Sequence, residues 1–322
     1  MPLYASIDVG SNTLRLLIGN VKDSRIDDIL YERRITRLGE GVDQTGRLQE
    51  QNIEASLSAL REFSSLISKH GVKDVRAVAT SALREGSNSH IFVEKVFTDT
   101  GISIEVISGE KEAELTLKGV LSSLPDPLFR IQHSAFIVDI GGGSTEWIFY
   151  KDKNFVDKGS IPVGVVKLAG SFIKTDPVSD ADIKRLNNEI VSFLNDLKIR
   201  IGQYIDIEKD IKFIGTAGTF STIASIDIGL NTYSREKIHL HRLPLNRLQD
   251  MNKKLLALPL KERKNIIGLE PGRADLIIPG LQFTIKVMEI FGFDELIVSD
   301  YGLLEGILLE TNEKNIPEAG KS

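Results

Sequence analysis

The chain of 322 residues contains no cysteine. Disulfides, thiol nucleophiles and zinc–thiolate centres are thereby excluded, and the composition suits the cytoplasm, the location expected for it. Long apolar runs are missing as well. Segments such as Leu255–Leu258 fall far short of the roughly 20 residues a membrane helix needs, so no membrane partner is expected. The start, Met1-Pro2-Leu3-Tyr4, has no basic region and runs into a strand-like segment, so no signal peptide is expected. Nor is there an excess of positive charge. A net charge of −5 argues against broad binding to DNA. It leaves room for an anionic ligand, because a basic cleft can lie within an acidic surface.

What is present reads as an α/β protein. The length exceeds the roughly 100–200 residues of one domain, so two domains are expected. Tyr4–Val9 and Leu14–Gly19 are apolar runs around the tight polar segment Gly10-Ser11-Asn12-Thr13, which predicts a hairpin. Ile53, Leu57, Leu60 and Ile67 line one face of a helix between Gln49 and Lys69. Val75–Ala79 and Ile102–Ile107 read as strands, each followed by a helical pattern. Two prolines in Leu124-Pro125-Asp126-Pro127 set the predicted boundary between domains 1–124 and 125–322. Beyond it the plan restarts, with strands at Ala135–Val138 and Trp147–Tyr150, a helix from Asp180 to Ile201 and a strand at Ile211–Ile214. A helix from Arg273 to Phe291, a strand at Glu295–Val298 and a final helix over about 302–312 complete it, the last able to pack back on the first lobe.

The two openings match. Asp8-Val9-Gly10-Ser11-Asn12-Thr13 and Asp139-Ile140-Gly141-Gly142-Gly143-Ser144 both read Asp, β-branched apolar, Gly, two small or polar residues, hydroxyl. Such a repeat implies two related lobes. Glycines at a tight turn let backbone N–H groups form a concave nest for an anion, and an Asp at a strand end can hold a divalent cation or its water. Ordinary turn chemistry is the better account of one such loop alone; two in matching positions point to ligand binding. A third loop, Gly215-Thr216-Ala217-Gly218-Thr219, joins a strand to a helix and is either a phosphate site or a capped, tightly packed turn. Arg33, Arg34 and Arg37 read as a solvated strand face rather than the entry rim of a polyanion site.

Seven segments, in order, carry a resemblance: Ile7–Leu16, Ala77–Arg84, Ser108–Ala113, Asp139–Glu146, Gly215–Thr219, Gly272–Asp275 and Ser299–Gly306. With them the chain resembles the exopolyphosphatase/guanosine pentaphosphate phosphohydrolase family. The implied fold is a two-lobed, duplicated α/β fold with an interdomain cleft, of the actin-like ATPase, sugar-kinase and chaperone-ATPase type (ribonuclease H-like). The match covers the two-domain core without the C-terminal helical domains of longer members, so poor processivity on long chains is expected.

The resemblance also implies roles. Glu112 matches the catalytic carboxylate that activates water, although a first-turn glutamate also complements a helix dipole. Asp8, Gly10, Ser11, Asn12 and Thr13 match one phosphate loop; Gly141, Gly142, Gly143 and Ser144 match the opposing one, with Asp139 and Glu146 as ligands for Mg²⁺. Gly215, Thr216, Gly218 and Thr219 form the third loop, and Arg15, Arg84 and Arg273 match arginines that neutralise phosphates. Lys111 stands where the family often carries an acid and would lower the proton affinity of Glu112 if their side chains lay close. His239 receives no role. The expected activity is release of terminal phosphate from polyphosphate or guanosine pentaphosphate, by a protein whose implied assembly is a homodimer. An actin-like nucleotide switch or a small-molecule kinase would use the same fold.

Overall fold

The computed structural model describes residues 2–22, 25–124, 134–151, 154–205 and 211–315. The chain divides into two units, Met1–Leu124 with Tyr301–Ser322, and Pro125–Asp300. The prolines at 125 and 127 lie outside the described residues. Among the described residues no helix is long and apolar enough to cross a membrane.

In the first unit, β1 (Tyr4–Val9), β2 (Thr13–Lys22) and β3 (Arg25–Ile35) form an antiparallel meander. Strands β4 (Asp74–Ala79) and β5 (Ile104–Val106) extend it in parallel, giving the order β3-β2-β1-β4-β5. Between them run α1 (Val42–Thr45), α2 (Glu50–Lys69), α3 (Ser81–Glu85) and α4 (Ser89–Thr100), and α5 (Gly109–Ser123) follows β5. Side-chain alternation along a strand sorts the two faces. Ala5, Ile7 and Val9, with Leu14, Leu16 and Ile18, join Phe63 of α2 and Phe92 of α4 in one core. Tyr4 and Leu17 point the other way, so Asp8 and Arg15 share that opposite face.

In the second unit β6 (Ala135–Ile140), β7 (Thr145–Lys151) and β8 (Asn154–Ile161) repeat the meander. Helices α6 (Val165–Phe172) and α7 (Asp180–Ile205) precede β9 (Lys212–Thr216). Helices α8 (Ala217–Ile228) and α9 (Arg235–Ile238), strand β10 (Arg242–Pro244), then α10 (Leu245–Leu256), α11 (Leu260–Arg263) and α12 (Ile277–Phe291) lead to β11 (Glu295–Val298). The order β10-β11-β9-β6-β7-β8 is the first sheet's plan with one strand added at the edge. Phe136, Phe213, Phe220 and Phe293 fill its core, with Phe213 and Phe293 stacked at 5.2 Å. This is the duplicated α/β architecture that the motifs imply.

The last helix, α13 (Leu303–Lys314), belongs to the first unit. Its Leu303 and Ile307 pack with Val78 and Leu115, and its Leu304 and Leu308 with Tyr4 and Leu17. Helices α13 and α5 touch backbone to backbone, because a Cβ at Gly119 would lie 1.8 Å from the Gly302 carbonyl and one at Gly306 1.8 Å from that of Leu115. One boundary differs from expectation. The helix predicted from Arg273 begins at Ile277, since Pro271–Arg273 closes only a 3-10 turn. Strand β3 escapes period-2 reading because charged residues interrupt both of its faces and all its side chains are half-buried or exposed.

Candidate active site

Parallel strands place the site residues at their carboxyl ends, where open α/β sheets bind ligands. In the first unit Asp8 lies near the end of β1, Arg84 in the short helix after β4, and Glu112 in the first turn after β5. Ser108 caps α5 by accepting the Lys111 N–H at 3.2 Å, and this fixes the turn that carries Glu112. Glu112 is only 6% exposed. Arg84 Nη1 donates to Glu112 Oε2 and to the Ile107 carbonyl, each at 2.9 Å. Arg84, expected on the substrate, therefore has a structural hold on the carboxylate first.

Lys111 does not serve Glu112. Its ammonium meets Glu310 at 3.2 Å and Glu114 at 3.5 Å, because adjacent residues on a helix face different ways. Glu310 of α13 also binds Arg76 at 2.7 Å. Burial pushes the Glu310 carboxyl up, but Arg76 and Lys111 outweigh it and hold the group below its ordinary range.

The loop Gly10–Thr13 is shaped by its hairpin. Arg15 Nε and Nη2 both donate to Asp8 Oδ2, at 2.8 and 2.6 Å, as the cross-strand register dictates. Asp8 Oδ1 is buried and accepts no hydrogen bond among the described residues. Glycine is required at position 10, where a Cβ would lie 2.9 Å from the Thr13 carbonyl. The equivalent contact in the second unit, Gly141 against the Ser144 carbonyl, is 3.0 Å.

That second hairpin repeats the register, with Asp139 opposite Glu146 where Asp8 stands opposite Arg15. Both acids are buried, Asp139 at 5% and Glu146 at 0% exposure, and Ser160 donates to Glu146 Oε1 at 2.6 Å. The carbonyls of Gly141 and Gly142 accept the first N–H groups of α6, from Val165 at 3.0 Å and Val166 at 2.8 Å. Because a trans peptide sets its N–H opposite its carbonyl, the amides of Gly142 and Gly143 point away from that helix, available to an anion. Ser144 lies buried at the end of the loop.

The third loop divides by role. Gly215 is a strand residue whose missing side chain admits the Phe220 ring, which a Cβ would meet at 2.2 Å, so it serves packing. Thr216 precedes Ala217, a non-glycine residue at φ 67°, a strained conformation at the start of α8. Arg273 lies across Gly218, where a Cβ would fall 2.3 Å from its Nη1, and Glu270 accepts its Nε at 3.2 Å. Thr219 donates its hydroxyl to the Ile140 carbonyl at 2.9 Å, tying α8 to the end of β6.

Asp300 received no role from the sequence. Buried after β11, it accepts from the hydroxyls of Ser221 and Tyr233 and from Arg235 Nε, and so pins α8 and the segment beyond it. Its position inside the Ser299–Gly306 segment was the available signal. Among the described residues no group of three or more His, Asp or Glu gathers in a metal-binding arrangement.

Comparison with known proteins identifies the family and the fold. The profile of the Ppx/GppA phosphatase family matches residues 17–315. Exopolyphosphatase 2 of Mycobacterium tuberculosis is 31% identical over 318 residues, 95% of this chain and 97% of that protein. A bifunctional 3-dehydroquinate synthase/phosphatase of Fusobacterium nucleatum is 33% identical over 96% of this chain, which spans 46% of that protein's length. The crystal structure of an Aquifex aeolicus Ppx/GppA family member superposes with a TM-score of 0.77 at 34% identity, over 98% of this chain and 99% of that one. An exopolyphosphatase from Cytophaga hutchinsonii gives 0.86 at 29%, over 98% and 99%.

Proposed function

The chain belongs to the Ppx/GppA phosphatase family, and from that premise we propose that it hydrolyses the terminal phosphoanhydride of inorganic polyphosphate, of guanosine pentaphosphate, or of both. Relatives named for each activity support the pair. The Mycobacterium tuberculosis relative is an exopolyphosphatase, and a Vibrio parahaemolyticus relative, 28% identical over 96% of this chain and spanning 59% of that protein, is a guanosine-5'-triphosphate,3'-diphosphate pyrophosphatase.

The observation that carries the reading is Glu112, a buried carboxylate oriented by Arg84 at the strand ends. A carboxylate has about four lone-pair sites, so Glu112 can accept from water beside the guanidinium of Arg84. Glu112 takes the water proton as the oxygen bonds to the terminal phosphorus and the anhydride P–O bond breaks. Free phosphate leaves, with a chain one phosphate shorter. No covalent enzyme intermediate is formed. Within the second unit, the amides of Gly142 and Gly143 and the guanidinium of Arg273 are the groups suited to phosphate oxygens as charge shifts in the transition state.

Asp139 and Glu146 are the residues that would hold a divalent cation such as Mg²⁺. Two carboxylates on neighbouring strands, with no third acid or histidine gathered beside them among the described residues, suit an ion that keeps waters and takes phosphate oxygens. When bound, it would supply charge neutralisation on those oxygens.

The test is phosphate release from polyphosphate and from guanosine pentaphosphate with Mg²⁺, beside ATP. Glu112→Gln should cut turnover roughly 10²–10⁴-fold, while calorimetric binding of tripolyphosphate persists. Near-normal turnover in that variant would remove Glu112 from the mechanism. Absence of release from both substrates by the wild type would sink the reading itself.

A further inference from the structure

Arginine is poorly suited to the interior unless it is paired, because its guanidinium stays charged and brings several N–H donors with it. In the second unit Arg263, the last residue of α11, is only 2% exposed. Its donors are thinly used. Nη1 donates to the Ala274 carbonyl at 3.3 Å and Nη2 to Asp176 Oδ1 at 3.4 Å. Both are longer than the roughly 2.7–2.9 Å of a strong charge-assisted bond. Nε is buried and has no hydrogen-bond partner among the described residues. Burial pushes the proton affinity of the guanidinium down, and Asp176 and Asp275 offset this only in part. An apolar side chain of similar volume would occupy the place at similar or lower cost.

What sets the place apart is the turn that Arg263 touches. Ala274, itself fully buried, directly follows the 3-10 turn Pro271–Arg273. That turn closes with the Arg273 N–H on the Glu270 carbonyl at 2.8 Å, and Leu276 donates to the Arg273 carbonyl at 3.0 Å. Its arginine lies across Gly218 at the start of α8, as described above. The chain between Arg263 and the turn follows the same helix. Gly268, at φ 87°, comes so close to α8 that a Cβ would fall 2.2 Å from the Ser225 carbonyl oxygen. The segment is thus fixed to α8 at Gly268, and its far end is held where Arg263 meets Ala274. Asp176 steadies the other side, since the oxygen that meets Arg263 also accepts the Leu260 N–H that opens α11, at 2.7 Å.

We infer that Arg263 is a positioning residue for Arg273, a buried guanidinium that holds the Ala274 carbonyl and so fixes the turn that sets Arg273 on the Gly218 loop. The inference rests on the functional reading above, in which Arg273 meets phosphate oxygens. All of these residues lie in the second unit. Methionine at position 263 would fill the space but could not donate to the carbonyl. Asp176 is half-exposed, so water can solvate its charge once the arginine is gone. The turn would lose its hold, and Arg273 would keep its charge but not its fixed position.

The experiment is a double-mutant cycle on Arg263→Met and Arg273→Ala, read by calorimetric binding of tripolyphosphate and by kcat/KM. Arg273→Ala should raise Kd about 10- to 100-fold, the loss of one charge-assisted hydrogen bond. Arg263→Met should raise Kd about 10-fold and lower kcat/KM by a similar factor, a loss no larger than that of Arg273→Ala. In the Arg273→Ala background the methionine should have almost no further effect, because the side chain it misplaces is already gone. Arg263→Lys keeps the charge but not the planar fork and should lose less; it carries the same cycle if the methionine variant fails to fold. A loss of the same factor in both backgrounds overturns the inference, since Arg263 would then act on the unit as a whole and not through Arg273. An unchanged Kd in either single variant overturns it too. A wild type that hydrolyses neither polyphosphate nor guanosine pentaphosphate would instead defeat the functional reading, whatever the cycle shows for tripolyphosphate.

Discussion

Asp139 and Glu146 are register partners across β6 and β7, both buried, in the place where the first unit sets Asp8 against Arg15. One duplicated hairpin thus sets an acid opposite an arginine, and the other an acid opposite an acid. Like charges directly opposite in a sheet repel. If the proposed cation binds at the second pair it would take the place that Arg15 fills beside Asp8 in the first.

This difference predicts opposite effects on stability and on turnover. Glu146→Gln removes one of two facing acids, so in chelator its unfolding free energy from urea titration should match or exceed that of the wild type, by up to about 1 kcal/mol. Phosphate release with Mg²⁺ should fall, and the metal concentration for half-maximal rate should rise. A variant with unchanged metal dependence would exclude Glu146 as a ligand.

Arg84 Nη1 donates both to Glu112 and to the Ile107 carbonyl, which holds the carboxylate in place. Arg84→Lys keeps the charge and loses the fixed planar geometry. A misplaced base can cost about 10²-fold, so kcat should drop by about that factor. Tripolyphosphate affinity should weaken less. Loss confined to KM would show that Arg84 acts on substrate alone.

The contact of α5 with α13 has no room for a methyl group. Gly119→Ala would set a Cβ 1.8 Å from the Gly302 carbonyl. Backbone, unlike a side-chain tip, cannot swing aside, so we expect destabilisation of at least the 1–3 kcal/mol typical of overpacking, about the same for Gly306→Ala. Urea titration measures it. Because α5 carries Glu112, turnover should fall even in variants that remain folded.

Glu310 makes the stability pH-dependent. Its carboxyl is held below its ordinary range when folded, with burial opposing the shift and Arg76 and Lys111 prevailing. A depressed carboxylate adds stability that is complete above the unfolded value, about 4.3, and is lost as pH falls through the folded one. Glu310→Gln should cost about 1.5–3 kcal/mol at pH 7. The gap from the wild type should narrow as pH falls below that unfolded value. A gap that stays constant with pH would mean that packing, not charge, is the cause.

Local features of the fold were legible in the sequence. Both hairpins, the helix over Glu50–Lys69 and the strand Glu295–Val298 follow from periodicity and turn residues that interact within a few positions. Strands β3 and β10 were not, since charges interrupt both faces of the first and the second is three residues long. The motif residues were identified as a set, but individual roles shifted. Gly215 packs under Phe220, and Lys111 turns to Glu310.

The sequence by itself determined the duplication, the two Asp-led loops and the presence of Glu112 in a first helical turn, because each depends on spacing along the chain. Tertiary structure alone decided which cation meets which carboxylate. Arg84 reaches Glu112 across 28 positions, and Lys111 reaches Glu310 across 199. It also separated Arg37 from Arg33 and Arg34, setting it on the Ser11–Asn12 loop. Such pairings depend on how sheets and helices pack, and a charge pattern in one dimension does not specify that. Long side chains of one sign look alike along a chain; burial, register and backbone strain make them different.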